Sequence, residues 1–396
     1  MPRFPDKEIA GFALFIGRLP LYLPTLTASW QSGHARDCKS RYPGSTPGEA
    51  SSGTTNPEMT DPTNDPLPVH GGDLGFATRR FGAPADGWLD LSTGINPNPY
   101  PLPPQTRADV TRLPEPSAIA DLGAAARRAY RIVPEVEVAA VPGSEVALRL
   151  LPLGLPASTV AIVSPTYASH AEAWRTAGHN VVPIAALHAL PADTAYAVVG
   201  NPNNPDGRST APNELAALAL HLGQRGGFLV VDEAFGDVAP DLTLAPHLAG
   251  LPAVIFRSLG KFHGLAGLRL GFVAGYGPAV TRIAASLGAW PVSGPAISGG
   301  LVALADNGWR SATRLRLHMS AMRLRALLAG HGFIIAGGTD LFVLTRHPDA
   351  GAMHAHLARA GIWCRAFADM PAHLRFGIPP DAGFGRLEAA LAAFPG

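Results

Sequence analysis

Ser258-Leu259-Gly260-Lys261, followed eight residues past the lysine by Arg269 within Gly267-Leu268-Arg269-Leu270-Gly271, decides how this chain reads. The stretch sets a hydroxyl, an amine and a guanidinium at short spacing. The amine can form a Schiff base with an aldehyde. The hydroxyl and the guanidinium can hold a phosphate, the guanidinium bidentately. Flanking glycines let the backbone approach a ligand closely. An aldehyde and a phosphate on one small molecule describe pyridoxal phosphate (PLP). A lone Ser-x-x-Lys would be weak, because lysines are usually solvated, but other segments fit the same cofactor.

Upstream, Val198-Val199-Gly200 leads into Asn201-Pro202-Asn203-Asn204-Pro205-Asp206-Gly207. An apolar run ending in Asn-Pro-Gly chemistry reads as a buried strand stopping at a turn. Asn204 precedes a proline, which biases it toward an extended shape. Its amide can then face a ligand, unless the segment only builds the turn. Phe228-Leu229-Val230-Val231-Asp232 has the pattern of a strand buried on both faces with an acid at its end. A buried carboxylate needs a cationic partner, and a protonated pyridine nitrogen would serve. Taken alone, Asp232 could equally be a metal ligand or a helix cap.

Gly143-Ser144-Glu145 precedes the helical stretch from Val146 to Leu151. Amides at such a start bind phosphate, and an ordinary N-cap at Ser144 is the plainer alternative. Tyr167 ends Ser164-Pro165-Thr166-Tyr167, just past the strand-like Val160–Val163. It can lie on a pyridine ring or simply fill the core. Near the C-terminus, Arg375 sits in the apolar His373-Leu374-Arg375-Phe376-Gly377. It needs an anion there, either a substrate carboxylate or a structural salt-bridge partner.

In this order the motifs resemble the fold-type I PLP enzymes, the aspartate aminotransferase superfamily, from about His70 to the end. The resemblance implies Lys261 as the Schiff-base lysine, Asp232 at the ring nitrogen, Asn204 at the phenolic oxygen and Tyr167 on the ring face. It gives the phosphate to Ser144, Ser258 and Arg269, and a substrate carboxylate to Arg375. It also implies a homodimer.

Within that superfamily, His70-Gly71-Gly72-Asp73 and Ser92-Thr93-Gly94-Ile95-Asn96-Pro97 are similar to the threonine-phosphate decarboxylases of cobalamin biosynthesis. So are Trp290-Pro291-Val292-Ser293 and Trp363-Cys364-Arg365, expected in the small domain. Phe235 stands three past Asp232, where aminotransferases of the superfamily usually carry tyrosine. Many relatives also carry a Tyr-Pro pair that reaches the partner subunit's cofactor; here Leu113-Pro114-Glu115 stands instead. The implied reaction is decarboxylation of L-threonine O-3-phosphate to (R)-1-aminopropan-2-yl phosphate. His70 and Arg365, with Asn96 nearby, are candidates for the substrate phosphate. The alternatives are an aminotransferase, such as one for histidinol phosphate, and a PLP-fold sensor fused to a DNA-binding module. No basic helix-turn-helix segment precedes the domain to support the last.

The 396 residues suffice for two domains, and a hydrophobic fraction of 47% with 15% charged residues fits a compact fold. A net charge of +1 makes no case for nucleic acid. Two cysteines, Cys38 and Cys364, make no disulfide framework, so a reducing cytoplasm is expected. No Cys/His cluster has zinc spacing, and the apolar run Ala10–Ile16 is too short to span a bilayer.

Residues 1–66 are expected to be disordered, the stretch Asp37 to Asn64 being rich in Pro, Gly, Ser and Thr. Tyr42-Pro43-Gly44-Ser45-Thr46-Pro47-Gly48 can be encoded by the T arm of a transfer RNA gene, so the reading frame is expected to start naturally at Met59. Residues 67–105 read as an arm that crosses to a partner or to the small domain. Residues 106–285 read as an α/β large domain, a mainly parallel sheet with helices on both faces. Residues 286–396 read as a small α+β domain.

Overall fold

Strand-like runs in the middle of the chain are rich in Val, Ile and Phe, which suit a pleated surface covered on both sides. A computed structural model describes residues 67–395 and shows these runs as strands. The disorder and the start at Met59 expected for the N-terminal segment lie outside the described residues.

The chain begins with α1 (Leu74–Phe81), β1 (Leu89–Leu91), α2 (Arg107–Thr111) and α3 (Pro116–Tyr130). Next come β2 (Glu137–Val141), α4 (Ser144–Leu150), β3 (Thr159–Val163), α5 (Ala168–Thr176), β4 (Asn180–Ile184) and β5 (Thr194–Gly200). They are followed by α6 (Pro212–Gly223), β6 (Phe228–Asp232), β7 (Ala253–Ser258), β8 (Gly271–Gly275), α7 (Gly277–Leu287) and α8 (Gly294–Ala305). The last are α9 (Asn307–Gly330), β9 (Ile334–Thr339), β10 (Phe342–Arg346), α10 (Ala350–Arg359), β11 (Ile362–Ala366), β12 (His373–Gly377) and α11 (Asp381–Ala392).

The large sheet has seven strands in the order β2-β8-β7-β6-β5-β3-β4. Its inner pairs are parallel, and β8 runs against both neighbours. Every residue of β3 and β7 is buried. Because the parallel strands point one way, the turns after β2, β3, β5, β6 and β7 gather at one edge, where open α/β sheets bind ligands.

The second sheet has the order β1-β11-β12-β10-β9. The arm of residues 67–105 reaches it directly: β1 pairs parallel with β11, and Phe76 and Ala77 of α1 cluster with Ala358 and Trp363.

The boundary expected at residue 285 lies further on. Val292, Ala296, Ile297, Ala303 and Leu304 belong to the large-domain core, so α8 and the Trp290–Ser293 stretch that leads into it are not part of the small domain. Glycines set this packing. A Cβ on Gly300 would sit 2.6 Å from a methyl of Leu270 and 2.8 Å from one of Leu122. Helix α9 then crosses between domains. Arg310 and Arg314 near its start donate to the Ala129 and Asp237 carbonyls of the large domain, whereas Leu324 and Leu328 join the small-domain core.

Below the site edge lies a charged cluster. Arg257 contacts Glu233 and Asp237, each at 2.9 Å, with all three side chains almost fully buried. Its guanidinium lies 4.2 Å from the Tyr130 ring centroid. Arg257→Leu would leave buried Glu233 without its cation and Asp237 with only Arg310, 3.6 Å away, and is expected to cost about 3–5 kcal/mol, read as a lowered urea midpoint.

Candidate active site

A cavity of about 510 Å³ opens at that edge. Its lining includes His70, Gly143, Ser144, Glu145, Tyr167, Asn204, Asp232, Ser258, Lys261, Arg269, Arg365 and Arg375. The structure thus brings together all but one of the residues singled out in the sequence. Asn96 is the exception. It is 2% exposed, its Nδ2 donates to the Phe262 carbonyl at 2.9 Å and its Oδ1 accepts from the Asn98 amide. Its own amide donates to the Lys261 carbonyl at 3.0 Å. With its hydrogen bonds used on backbone, Asn96 braces the lysine loop and does not face the cavity.

Lys261 lies just past β7. Burial, then the charge of Arg375, pulls its ammonium down to about pKa 8, against the opposing pull of Asp232. A neutral amine is therefore accessible near physiological pH, as a nucleophile requires. Its Nζ lies 5.8 Å from the centroid of the Phe235 ring.

Asp232 ends β6. Burial works against its charge, but the hydrogen bond and charge of His170, the Ala234 amide and Lys261 outweigh it, and the carboxyl titrates below its ordinary value. His170 was missed by sequence reasoning. It lies on α5 and is 1% exposed, and its Nε2 donates to the Asp232 carboxylate at 2.9 Å. An ionised carboxylate can only accept, so this contact fixes the proton on Nε2. The available signal was periodicity: His170 shares the buried face of α5 with Ala173 and Trp174, three and four residues further on.

The phosphate end is shaped by backbone. Gly143 caps α4 with φ 87°, so Ser144 is the first helical residue and not the cap. The amides of Ser144 and Glu145 thus open the helix without intrahelical acceptors. Arg269 adopts a left-handed conformation (φ 51°, ψ 53°), which costs an L-residue roughly 1–2 kcal/mol. The reward is position. A Cβ on Gly143 would lie 2.5 Å from Arg269 Nη2, so only glycine leaves room for the guanidinium against the helix start. Ser258 Oγ accepts from the Gly260 amide at 3.2 Å, which leaves its proton to donate.

Two further guanidinium groups line the cavity. Arg375, on β12, donates from Nη1 to Asn204 Oδ1 and from Nη2 to the Ser92 carbonyl at 2.7 Å; its buried Nε has no partner among the described residues. Burial, then the charge of Arg365, lowers its pKa to about 10. Arg365, on β11, donates to the Pro68 and Val69 carbonyls. Among the described residues neither arginine is within ion-pair distance of a carboxylate. The Tyr167 ring is flanked by His70, 5.3 Å away and tilted, and by His170, 6.0 Å away and edge-on.

Comparison with known proteins agrees with this geometry. A family model for aminotransferases of class I and II matches residues 107–391. The chain belongs to that family. Threonine-phosphate decarboxylases from Sinorhizobium sp and Pseudomonas aeruginosa are each 43% identical to it, over 82% of this chain and 97% of the relative. The fold matches that of a histidinol-phosphate aminotransferase from Sinorhizobium meliloti in complex with pyridoxal-5'-phosphate (TM-score 0.69, 20% identity, 85% of this chain and 97% of that one). The family is PLP-dependent, and the cavity fits that cofactor: a buried lysine, a histidine-braced carboxylate and a glycine-shaped cradle facing an arginine. Among the described residues no helix is long and apolar enough to cross a membrane, and no group of His, Cys, Asp and Glu could hold a metal ion.

Two expectations follow. PLP-free protein should capture PLP faster as pH rises from 7 to 9, levelling above about 8 as the Lys261 ammonium loses its proton; stopped-flow absorbance measures this. His170→Ala should weaken PLP binding by roughly 10- to 100-fold, as removal of an outer partner does at other sites, in fluorescence titration.

Proposed function

We propose that the chain is a decarboxylase of L-threonine O-3-phosphate, releasing carbon dioxide and (R)-1-aminopropan-2-yl phosphate, a step of cobalamin biosynthesis. The observation that carries this reading is the pair Arg375 and Arg365, two guanidinium groups in the cavity that holds Lys261 with no carboxylate within ion-pair distance among the described residues. A substrate with one carboxylate and one phosphate suits them both. The two close relatives named as threonine-phosphate decarboxylases support the same choice.

Bound PLP would supply a sink for the electron pair left at Cα when the carboxylate departs. Asp232, held ionised by His170, would keep the pyridine nitrogen protonated. Ser144, Ser258 and Arg269 would hold the cofactor phosphate, with Tyr167 against the ring and Asn204 at the phenolic oxygen. Arg375 would take the substrate carboxylate, and Arg365 with His70 its phosphate. A remote phosphate anchor fixes which bond to Cα is placed to break, which is differential binding at the transition state. Lys261 Nζ would then deliver the proton that replaces the carboxylate at Cα. Phe235, buried with its ring edge-on to Phe342 at 5.1 Å, offers no hydroxyl beside Asn204, unlike the tyrosine expected of an aminotransferase.

The protein is proposed to work as a cytoplasmic homodimer. Val110, Leu113 and Trp290 are more than half exposed, and α2 meets the turn into α8, where Gly294 lies against the Asp109 carbonyl. Burying these side chains against a second copy would remove that apolar surface from water. Leu113-Pro114-Glu115 would then have to be answered by a cofactor contact of different chemistry from the Tyr-Pro pair.

Purified protein with PLP and L-threonine O-3-phosphate should release carbon dioxide and aminopropanol phosphate in equal amounts, with no keto acid required. Amino transfer from histidinol phosphate to 2-oxoglutarate without carbon dioxide would replace this reading with the aminotransferase one. Lys261→Ala should abolish turnover and the visible band of the bound cofactor. Arg365→Ala should lower kcat/KM for the phosphorylated substrate by roughly 10- to 100-fold, the loss of about 1.5–3 kcal/mol for a charged hydrogen bond.

A further inference from the structure

Arg208 follows the turn that carries Asn204, and its side chain reaches across to the turn that carries Tyr167. Its Nη2 donates to the Val163 and Pro165 carbonyls, each at 2.8 Å, and Nη1 to the Ser164 carbonyl at 3.2 Å. One guanidinium thus binds three successive carbonyls at the end of β3. Nη1 also meets Asp206 Oδ2 at 3.1 Å.

Beside it runs a second set of cross-links. Asn203 Nδ2 donates to the Pro165 carbonyl at 2.9 Å and to Asp206 Oδ1 at 2.7 Å, while Thr166 Oγ1 donates to Asn203 Oδ1 at 2.6 Å. Adjacent parallel strands hydrogen-bond within the sheet, but the turns beyond them have no ladder to fix their separation. Here side chains do it.

The same turn touches the small domain. The Gly338 amide on β9 donates to the Asp206 carbonyl at 2.8 Å. A Cβ on Gly207 would collide with the Gly338 carbonyl, and one on Gly337 with that of Asp206. From the other side, Arg375 of β12 grips Asn204.

We infer that Arg208 is a positioning residue: by clamping the Val163–Pro165 carbonyls it sets the distance between Tyr167 and Asn204, and so the seating of the cofactor ring between them. The inference rests on the cofactor reading above. Arg is required because a planar fork reaches several acceptors at once, where the lysine ammonium acts as one compact point charge.

The test uses Arg208→Lys, which keeps the charge, and Arg208→Met, which removes it. Hydrogen exchange on PLP-free protein is the first readout. Amides of residues 164–170 and 203–207 are expected to exchange about tenfold faster or more in both variants, with β6 and β7 unchanged. The second readout is the visible circular dichroism of the bound cofactor at saturating PLP, with its dissociation constant. The amplitude is expected to fall and the constant to rise about tenfold, less in the lysine variant. Loosening confined to residues 206–208 would overturn the inference, as would loosening of both turns with unchanged dichroism and affinity, which marks a purely structural clamp. Should Arg208→Met fail to fold, the lysine variant decides. A parent protein that bound no PLP would fell the proposed function instead, and the exchange experiment would still decide whether Arg208 ties the two turns together.

Discussion

The guanidinium of Arg375 reaches from the small sheet into the edge of the large one. It donates to Asn204 past β5 and to the carbonyl of Ser92 past β1. A cation 6% exposed, with no carboxylate within ion-pair distance among the described residues, is costly unless hydrogen bonds replace its water. Those bonds come from two separate parts of the chain, so the cation is tolerated only when both are in place. Its field also reaches Lys261, where it is the largest charge effect lowering the amine's pKa. Domain placement and amine reactivity are therefore linked through one side chain.

The turn residues were legible in the sequence for a common reason. Asp232, Asn204, Lys261 and Tyr167 each follow an apolar run, and a polar residue past a doubly buried strand has few places to go except the ligand edge. Other features carry no such signature. His170 is one histidine on a helix with several buried positions, and nothing in its spacing names Asp232 as its partner. Asn96 is near the site in the chain but spends its amide on the Phe262 carbonyl, a direction that a turn sequence does not encode. The boundary near residue 285 failed because helical periodicity shows that a face is buried and not which core buries it. Gly299 and Gly300 settle that question for α8, by admitting Leu268, Leu270 and Leu122.

Behind the site, Glu233, Arg257 and Asp237 fill space that apolar side chains could have filled. Thr243 Oγ1 and the Leu244 amide complete the shell of Glu233, at 2.5 and 2.7 Å. Such a network is tolerated only when its members are matched, so it disfavours slipped pairings of β6 and β7 that an all-apolar interior would allow. The two strands it locks are those that deliver Asp232 and Lys261.

Helix α9 has a mechanical meaning that its sequence does not advertise. Its first turns are held by the large domain and its last by the small-domain core, so it is a strut with a foot in each. At 1.5 Å per residue its 24 residues span about 36 Å, and a tilt of only 3° at the anchored foot would carry the far end by roughly 2 Å. Small changes where the large domain grips the first turns are therefore magnified where the small-domain core packs on the last. The backbone hydrogen bond from Gly338 to Asp206, at 2.8 Å, is a second tie between the same two parts of the fold, well away from that foot in sequence.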